Sequence, residues 1–444
     1  MTVQARTLAT LITAAGVALI GAPVAAQPPP PGPPGATTVT TTPFTTPNTD
    51  NCPHRSSPPR AIDLSEVPAP GQSAPRPLPV PADPVGGGRL GECGTLAPAG
   101  TPPLPADISA TGWALVDLDS GAVVAAKDPH GRYRPASTIK ILLALVALDE
   151  LDLDRTVVAT AEDANTEGSA VGLGKDGRYT NRQLLQGLVM ASGNDAAHAL
   201  AAQLGGDESA VAKMNALAAR LGALDTRTAT PSGLDGPGMS SSAYDLALLF
   251  REAMRNSTFA ALIHTETVQF PGFPKDPTNP DDTEHPEFTL ANDNKLLYNY
   301  DGALGGKTGY TDDARQTFVG GAERGGRRLA VTLMAGDVKP IRPWEQAVRL
   351  LDYGFAQPET AQVGTLVEPG TGSAPDTAPV TLAAPPADAL SDDASSSDTA
   401  SAVSAAGPGT AAATGRDRAT VALVGAAVIG ALLLAARRVQ RRRR

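Results

Sequence analysis

The sequence is short of three residue types that often carry catalysis or metal binding: its 444 residues include only 2 cysteines, 5 histidines and 8 lysines. No Cys-x-x-Cys or His-Glu-x-x-His pattern occurs. The usual signatures of a redox site and of a zinc peptidase are therefore missing, and we predict neither a metal nor a cofactor.

Proline is scarce only in the middle of the chain. Of the 41 prolines, 22 lie in residues 27–105, 11 in residues 106–356 and seven in residues 357–418. The two flanks hold too few large apolar residues to bury a core. We therefore expect one folded domain at 106–356, a proline-rich leader region at 27–105, and a disordered Pro/Ala/Ser stalk at 357–418.

Residues 1–26 are predicted to be a secretory signal peptide. Arg6 supplies the positive start, an apolar run follows, and Val24 and Ala26 occupy the −3 and −1 positions of a cleavage site before Gln27. A buried helix is disfavoured because four prolines come directly after Gln27. The mature protein should therefore be exported.

Residues 419–436 are predicted to form a transmembrane helix. They carry no charge, and as a helix they would span about 27 Å, close to a hydrocarbon core of about 30 Å. The arginine-rich tail at 437–444 should stay in the cytoplasm, which places the body outside as a single-pass membrane protein. A sortase-type anchor is disfavoured because no Leu-Pro-x-Thr-Gly precedes the segment.

The charge of the body excludes one class of partner. The formal net charge is −10. Without Arg6 and the six arginines of the tail, 36 − 7 = 29 basic side chains face 46 acidic ones, which gives −17. So acidic a body should repel nucleic acid.

Cys52 and Cys93 are the only cysteines, and in an exported protein two cysteines most often pair. Closing this loop would contribute at most about 4 kcal/mol in the chain-entropy model. Together with the local apolar residues Ile62, Leu64 and Val67, the bridge suggests that residues 50–105 dock on the catalytic domain.

Strand and helix patterns divide the middle region into three parts. A β-hairpin is predicted around Asp119-Ser120-Gly121, and two strands return at Gln316–Ala322 and Arg328–Ala335. Between them the periodicity indicates helices. This order predicts an α/β fold with one sheet built from both ends of the domain and an inserted all-α region. The predicted helices are 137–151, 180–190, 195–204, 208–221 and 242–254, with a last one at 344–353.

Ser137 and Lys140 form the first pattern with chemical content. Residues three apart on a helix share a face, so the lysine would lie one turn above the serine. A serine hydroxyl needs a base to become a nucleophile. Lowering the pKa of a lysine from about 10.4 to near 7 requires about 4.6 kcal/mol, which burial and a second cation can supply. Alone, Ser-x-x-Lys also fits an ordinary helix start.

Two further patterns follow along the chain. Ser192-Gly193-Asn194 precedes a predicted helix, where a helix cap is the simpler interpretation. Lys307-Thr308-Gly309-Tyr310 precedes the last strands, where a tight turn is the simpler interpretation. A phosphate-binding loop is excluded because the glycine that it needs at position 301 is an aspartate. The letters of a dinucleotide fingerprint at 172–177 follow no convincing strand and indicate a flexible loop.

Ser-x-x-Lys, Ser-x-Asn and Lys-Thr-Gly, in this order and in an exported protein, resemble the penicillin-binding protein and serine β-lactamase superfamily. More narrowly, the chain is similar to the D-alanyl-D-alanine carboxypeptidases of peptidase family S11. The resemblance covers about 106–355 and implies a β-lactamase/transpeptidase-like fold, an antiparallel sheet flanked by helices. The matching segments are Pro135–Lys140, Leu188–Ala197, Asn294–Leu297 and Gly306–Thr311.

The resemblance also implies a role for each motif residue. Ser137 would attack the bond between two D-alanines, Lys140 would take its proton, and Ser192 would relay a proton to the leaving group. The N–H groups of Ser137 and Tyr310 would form an oxyanion hole. Asn194 would hold the substrate amide. The substrate carboxylate would meet the residues Lys307, Thr308, Gly309 and Arg342, the last on a loose local match.

The expected partners are the peptidoglycan stem peptide and, as inhibitors, β-lactam antibiotics. One alternative is a β-lactamase or a DD-endopeptidase on the same fold. A class A β-lactamase is disfavoured because no glutamate occurs between Glu208 and Glu252 and the second motif is Ser-Gly-Asn. An alternative of another class is a non-catalytic protein that binds the wall or senses penicillin.

Overall fold

The computed structural model describes residues 46–370. The predicted signal peptide, the first part of the leader region, most of the stalk, the predicted transmembrane segment and the arginine-rich tail lie outside this range. No helix within residues 46–370 has both the length and the apolarity to cross a bilayer.

Eleven strands and nine α-helices, with two short 3-10 helices at Gly88–Gly91 and Ala136–Ile139, build the described part of the chain. The strands are β1 Thr95–Leu96, β2 Gly112–Asp117, β3 Ala122–Lys127, β4 Thr156–Val158, β5 Arg178–Thr180, β6 Thr267–Phe270, β7 Phe288–Ala291, β8 Ala303–Thr311, β9 Arg315–Arg324, β10 Arg327–Gly336 and β11 Gly364–Thr365. The helices are α1 Lys140–Glu150, α2 Ala161–Ala164, α3 Asn181–Met190, α4 Asn194–Gln203, α5 Asp207–Leu221, α6 Ala243–Arg255, α7 Ser257–His264, α8 Leu296–Asn299 and α9 Pro343–Phe355.

The main sheet is antiparallel and runs in the order β1-β3-β2-β10-β9-β8, with β11 paired beside β1 on the outer side of β3. Strands β2 and β3 come from the start of the domain and β8 to β10 from its end, and they meet where Leu115 pairs with Val331. The predicted sheet assembled from both ends, with helices inserted between, is confirmed.

The sheet has an apolar core on each face, because alternate residues of a strand point to opposite sides. Ala114 and Val116 join the larger cluster, which α1 and α3 to α7 share, whereas Trp113 and Leu115 join a smaller cluster with α8 and α9. Helix α1 contacts α3, α4, α5 and α6 and is buried along most of its length, as its nearly all-round apolar sequence predicts.

The structure contradicts the simpler interpretations of the two later motifs, which were a helix cap for the second and a tight turn for the third. The Lys-Thr-Gly segment lies within strand β8, not in a turn. Its glycines are needed for contact: a Cβ at Gly306 would come 2.0 Å from the Val319 carbonyl oxygen. Gly193 is the residue that caps α4, with no side-chain capping bond, so Ser192 and Asn194 are free of that task.

The folded part continues past residue 356, where the stalk was predicted to begin. β11 pairs with β3, and the Thr365 N–H donates to the Gly86 carbonyl of the leader region at 2.9 Å. The end of the described chain and the leader region therefore meet at one edge of the sheet.

The leader region closes an internal loop with a disulfide, and it lies against the domain through β1, which pairs with β3, and through polar contacts. Cys52 and Cys93 are bonded, as predicted. Arg132 donates to the carbonyls of Ser56, Leu78 and Pro79 at 3.0, 2.5 and 2.8 Å. The apolar residues expected to dock are instead exposed, with fractions of 73%, 80% and 59% for Ile62, Leu64 and Val67. Main-chain carbonyls make these contacts, whereas Leu90 and Leu96, near the end of the leader region, are buried in the larger apolar cluster.

Candidate active site

Ser137 and Lys140 lie at the start of α1, where a 3-10 turn leads into the helix. The Lys140 Nζ and Ser137 Oγ atoms are 2.8 Å apart. Ser137 is half-buried and Lys140 is fully buried. Ala136, just before the serine, has a φ of 47°, which is uncommon for a residue with a side chain. The spacing predicted from the sequence is therefore realised at a strained turn.

The partners of Lys140 decide which way its lone pair points. Besides the serine, Nζ contacts Asn194 Oδ1 and the Ser232 carbonyl oxygen, each at 2.6 Å. These two oxygens are acceptors only, so a neutral amine gives both its hydrogens to them. The lone pair then faces the Ser137 hydroxyl, which is the arrangement of a general base beside its nucleophile.

The surroundings of Lys140 also favour the neutral amine. Burial, and then the positive charge of Lys307, hold its pKa well below the ordinary value of 10.5, against the opposing effect of the Asp195 and Asp293 carboxylates. Burial lowers the pKa of Lys307 as well, and Asp293 opposes that shift. Burial and a neighbouring positive charge thus both disfavour the charged form of Lys140, the lysine next to the serine.

The second motif lies against the first. Ser192 is buried and has a φ of 60°, another strained residue at the site, and Asn194 bonds Lys140 as described. The Asn194 Nδ2 group donates to the Glu167 carbonyl at 2.7 Å. Asn194 therefore joins the base to the loop that contains Glu167.

Asp195 is a residue of the site that sequence reasoning did not single out. Its carboxylate accepts the N–H groups of Val171, Gly172 and Leu173 at 3.0, 2.8 and 2.9 Å. A carboxylate that receives three backbone donors is a strong local clamp. It fixes the start of the 172–177 segment, whose sequence matches the dinucleotide fingerprint, beside the second motif.

The third motif is the part of β8 that faces the nucleophile. A Cβ placed on Gly309 would lie only 2.9 Å from the Ser137 nitrogen, so the strand runs directly along the serine main chain. Thr317 of β9 reinforces this approach by donating to the Pro135 carbonyl at 2.8 Å. The next residue, Tyr310, has an exposed side chain, which leaves its role to the main chain.

Lys307 and Thr308 have their own polar support. Lys307 is fully buried and donates to the Thr308 carbonyl at 2.7 Å. The Thr308 hydroxyl donates to Asp293 at 3.0 Å, and the other Asp293 oxygen is buried with no partner in the described chain. Asp293 lies just before the segment noted from sequence, but its own role was not predicted.

Arg342 is exposed and immediately precedes α9. Within residues 46–370, none of its hydrogen bonds or ion pairs reaches a motif residue. Its role in substrate binding therefore stays a prediction.

Comparison with known proteins agrees with this geometry. The peptidase S11 family, described as D-alanyl-D-alanine carboxypeptidase, matches residues 99–337, which is just over half of the chain. The D-alanyl-D-alanine carboxypeptidase DacB2 of Mycobacterium tuberculosis is 51% identical over 275 residues, covering 61% of this chain and 90% of that protein. DacF of Bacillus subtilis is 33% identical over 252 residues, covering 55% and 62%.

Solved structures give the same result. A crystal structure of a D-alanyl-D-alanine carboxypeptidase from Mycobacterium tuberculosis shares 50% identity and a TM-score of 0.57, covering 61% of this chain and 100% of that one. The Streptomyces K15 DD-transpeptidase shares 30% identity and a TM-score of 0.53, covering 58% and 100%. With the predicted family and fold both confirmed, the chain belongs to the S11 family of D-alanyl-D-alanine carboxypeptidases, which are hydrolases.

Proposed function

We propose that the protein removes the terminal D-alanine from peptidoglycan stem pentapeptides through an acyl-enzyme on Ser137. The observation that carries this proposal is the set of three contacts at Lys140 Nζ, because they aim a lone pair at the serine hydroxyl. No other described residue both contacts the Ser137 hydroxyl and has a pKa lowered in this way.

Acylation begins when Lys140 takes the proton of the Ser137 hydroxyl. The serine oxygen then bonds to the carbonyl carbon between the two D-alanines. The N–H groups of Ser137 and Tyr310 stabilise the oxyanion, a role supported by the close approach of β8 to the serine main chain. Lys307 and Thr308 bind the terminal carboxylate of the substrate, and Lys307 also keeps Lys140 neutral.

Collapse of the tetrahedral intermediate breaks the peptide bond. The proton held by Lys140 passes through Ser192 to the departing D-alanine amine, and Asn194 holds the substrate amide. A water molecule then attacks the ester, the serine regains its proton, and the shortened peptide leaves. A penicillin would follow the acylation step in the same way, and its acyl-enzyme should be long-lived.

We also infer where the reaction takes place. The predicted signal peptide, transmembrane segment and arginine-rich tail support an enzyme anchored by its C-terminal end with the catalytic domain on the outer side of the membrane. The intact disulfide of the leader region fits an oxidising compartment.

The test combines covalent labelling with product release. The full chain is incubated with fluorescent penicillin, and separately with a peptide ending in D-Ala-D-Ala and its L-Ala-L-Ala counterpart. We expect a label on Ser137, slow release of that label, and D-alanine from the first peptide only. Ser137→Ala should lose all of these, whereas Ser257→Ala, at an exposed serine that begins α7, should keep them.

Each alternative has its own outcome. Release of the label within seconds would identify a β-lactamase. Preferential cleavage of a crosslinked peptide would identify an endopeptidase. A folded protein that takes no label and releases no D-alanine would contradict the enzymatic proposal.

A further inference from the structure

A short piece of the leader region contacts both chain segments that flank the proposed oxyanion hole. Glu66 accepts two hydrogen bonds from Arg134, which lies three residues before Ser137, at 2.5 and 2.8 Å. The Ile62 N–H donates to Asp313, which lies three residues after Tyr310, at 2.7 Å. Two contacts from leader residues only four positions apart, Ile62 and Glu66, therefore reach both sides of one site.

The contact between Glu66 and Arg134 is the stronger of the two. The Arg134 side chain is 2% exposed, and within the described chain its guanidinium hydrogen-bonds to Glu66 alone, since Nη1 has no partner. A buried guanidinium that loses its hydrogen-bonded anion is strongly destabilising. Arg134 and its chain segment are thus fixed by a residue 68 positions earlier in the sequence.

The segment that Arg134 begins is one that needs to be held. Arg134 is followed by Pro135 and by Ala136, whose φ of 47° carries about 1–3 kcal/mol of strain. Such a conformation persists only where its surroundings determine it. Here the carbonyl of Pro135 is bonded from β9, and the residue before it is bonded from the leader.

The Ile62 contact acts on the other side. Asp313 lies in the turn between β8 and β9, just beyond the residue whose N–H would complete the oxyanion hole. The Ile62 side chain is exposed, so its main chain, not its packing, makes this contact.

We propose that Glu66, through Arg134, and the main chain of Ile62, through Asp313, are positioning groups that keep the N–H groups of Ser137 and Tyr310 aligned for acylation. This inference rests on the proposed function. The family match begins at residue 99, so Ile62 and Glu66 lie outside the matched part, whereas Arg134 and Asp313 lie inside it.

The test measures acylation of the full chain by fluorescent penicillin. The second-order rate constant should fall about tenfold in Glu66→Ala, because a misplaced reacting group costs one to two orders of magnitude. Glu66→Gln, which keeps one acceptor, should lie between Glu66→Ala and the wild type. The amount of label at saturation should stay equal in all three proteins, and for D-alanine release kcat should fall with KM within twofold.

Glu368→Ala is the matched control. Glu368 also accepts a hydrogen bond of 2.8 Å from a buried arginine, Arg251, and it also ties a terminal segment to the domain. We expect its acylation rate constant to stay within twofold of the wild type.

Two results would overturn the inference: an unchanged rate constant in folded Glu66→Ala, or a lower saturation of label with an unchanged rate constant, which would mean stability alone. If Glu66→Ala does not fold, Asp313→Ala, which removes the acceptor of the Ile62 N–H, answers the same question by the same readouts. A wild-type protein that takes no label would instead contradict the proposed function.

Discussion

The catalytic domain and the leader region are held in place by different forces. The domain buries two apolar clusters, one on each face of its sheet. The leader region contributes Leu90 and Leu96 to the larger cluster and pairs β1 with β3. Its residues 46–80, by contrast, are held by a disulfide, an ion pair and carbonyl groups, and they expose Ile62, Leu64 and Val67. Apolar burial scales with area and tolerates small shifts, whereas polar contacts require aligned atoms.

The two regions should therefore differ in how they respond to the loss of a single contact. The domain should keep its fold when one polar contact is lost, because its stability comes from many buried side chains. Residues 46–80 of the leader region, which add no side chain to either cluster, should loosen when their disulfide or ion pair is cut. Substitutions in the domain and substitutions in the leader region should therefore have separable effects.

The largest expected effect is confined to the domain. Ser137→Ala should lower D-alanine release by at least about 10⁴-fold, because the nucleophile is lost. The amides of the leader region should exchange with solvent at the wild-type rate, since no leader contact involves this side chain. Faster exchange there would mean that the two regions are less separate than their contacts indicate.

The next effect is confined to the leader region. Replacing Cys52 and Cys93 by serine should remove up to about 4 kcal/mol of stabilisation from the closed loop. Limited trypsin digestion should then cut first at Arg55 or Arg60, and the domain should survive as a resistant fragment. Simultaneous loss of the domain would break the comparison by making the leader part of the same cooperative unit.

A smaller effect concerns the pH dependence of the base. The charge of Lys307 helps to lower the pKa of Lys140, so removing it in Lys307→Gln raises that pKa. Because acylation needs the neutral amine, its rate rises with pH through this pKa. The midpoint of the acylation rate should therefore move to higher pH. Lys295→Gln, at an exposed lysine, is the control and should leave the midpoint unchanged.

The smallest effect concerns the junction of the two regions. His130 bonds both Asp225 and the Val85 carbonyl of the leader, at 2.8 and 3.0 Å. Burial, and then the nearby Asp225 charge, raise the pKa of Asp245 to about 8. Burial would lower the pKa of His130, but its bond to Asp225 outweighs this and raises it.

The raised pKa values of Asp245 and His130 both make the folded state less stable as pH rises. The folded state holds protons that the unfolded state has released, so the stability contributed by Asp245 is lost as pH rises from about 4 through about 8. We expect thermal unfolding to occur at a lower temperature at pH 8 than at pH 6. Asp245→Asn, which imitates the protonated group, should flatten this profile. An equally steep profile in the variant would exclude Asp245 as its source.

Local patterns made most of the domain predictable. Ser137 and Lys140 are neighbours on one helical turn, and the helix predicted at 180–190 is present as α3, which begins at a capping box of Thr180 and Gln183. Helices and paired strands follow short-range periodicity, so their existence was right and their ends shifted by one or two residues.

Features fixed by distant partners were not predictable from the sequence. Ser232 serves the site through its carbonyl, which every residue type has. Strand β8 is rich in glycine because a neighbouring main chain comes so close, and the letters alone resemble a turn. The ion pair between Glu66 and Arg134 joins residues whose spacing follows no regular period.

The order of strands determines which part of the sheet would bear a force applied at the end of the described chain. The described chain ends just after β11, on the outer side of β3, whereas β8 forms the opposite edge of the sheet. A pull on this end would load a two-residue strand and its bond to Gly86 first. Four strands, β3, β2, β10 and β9, stand between that point and the catalytic edge. A force applied at this end would thus strain β11 before it could deform the site.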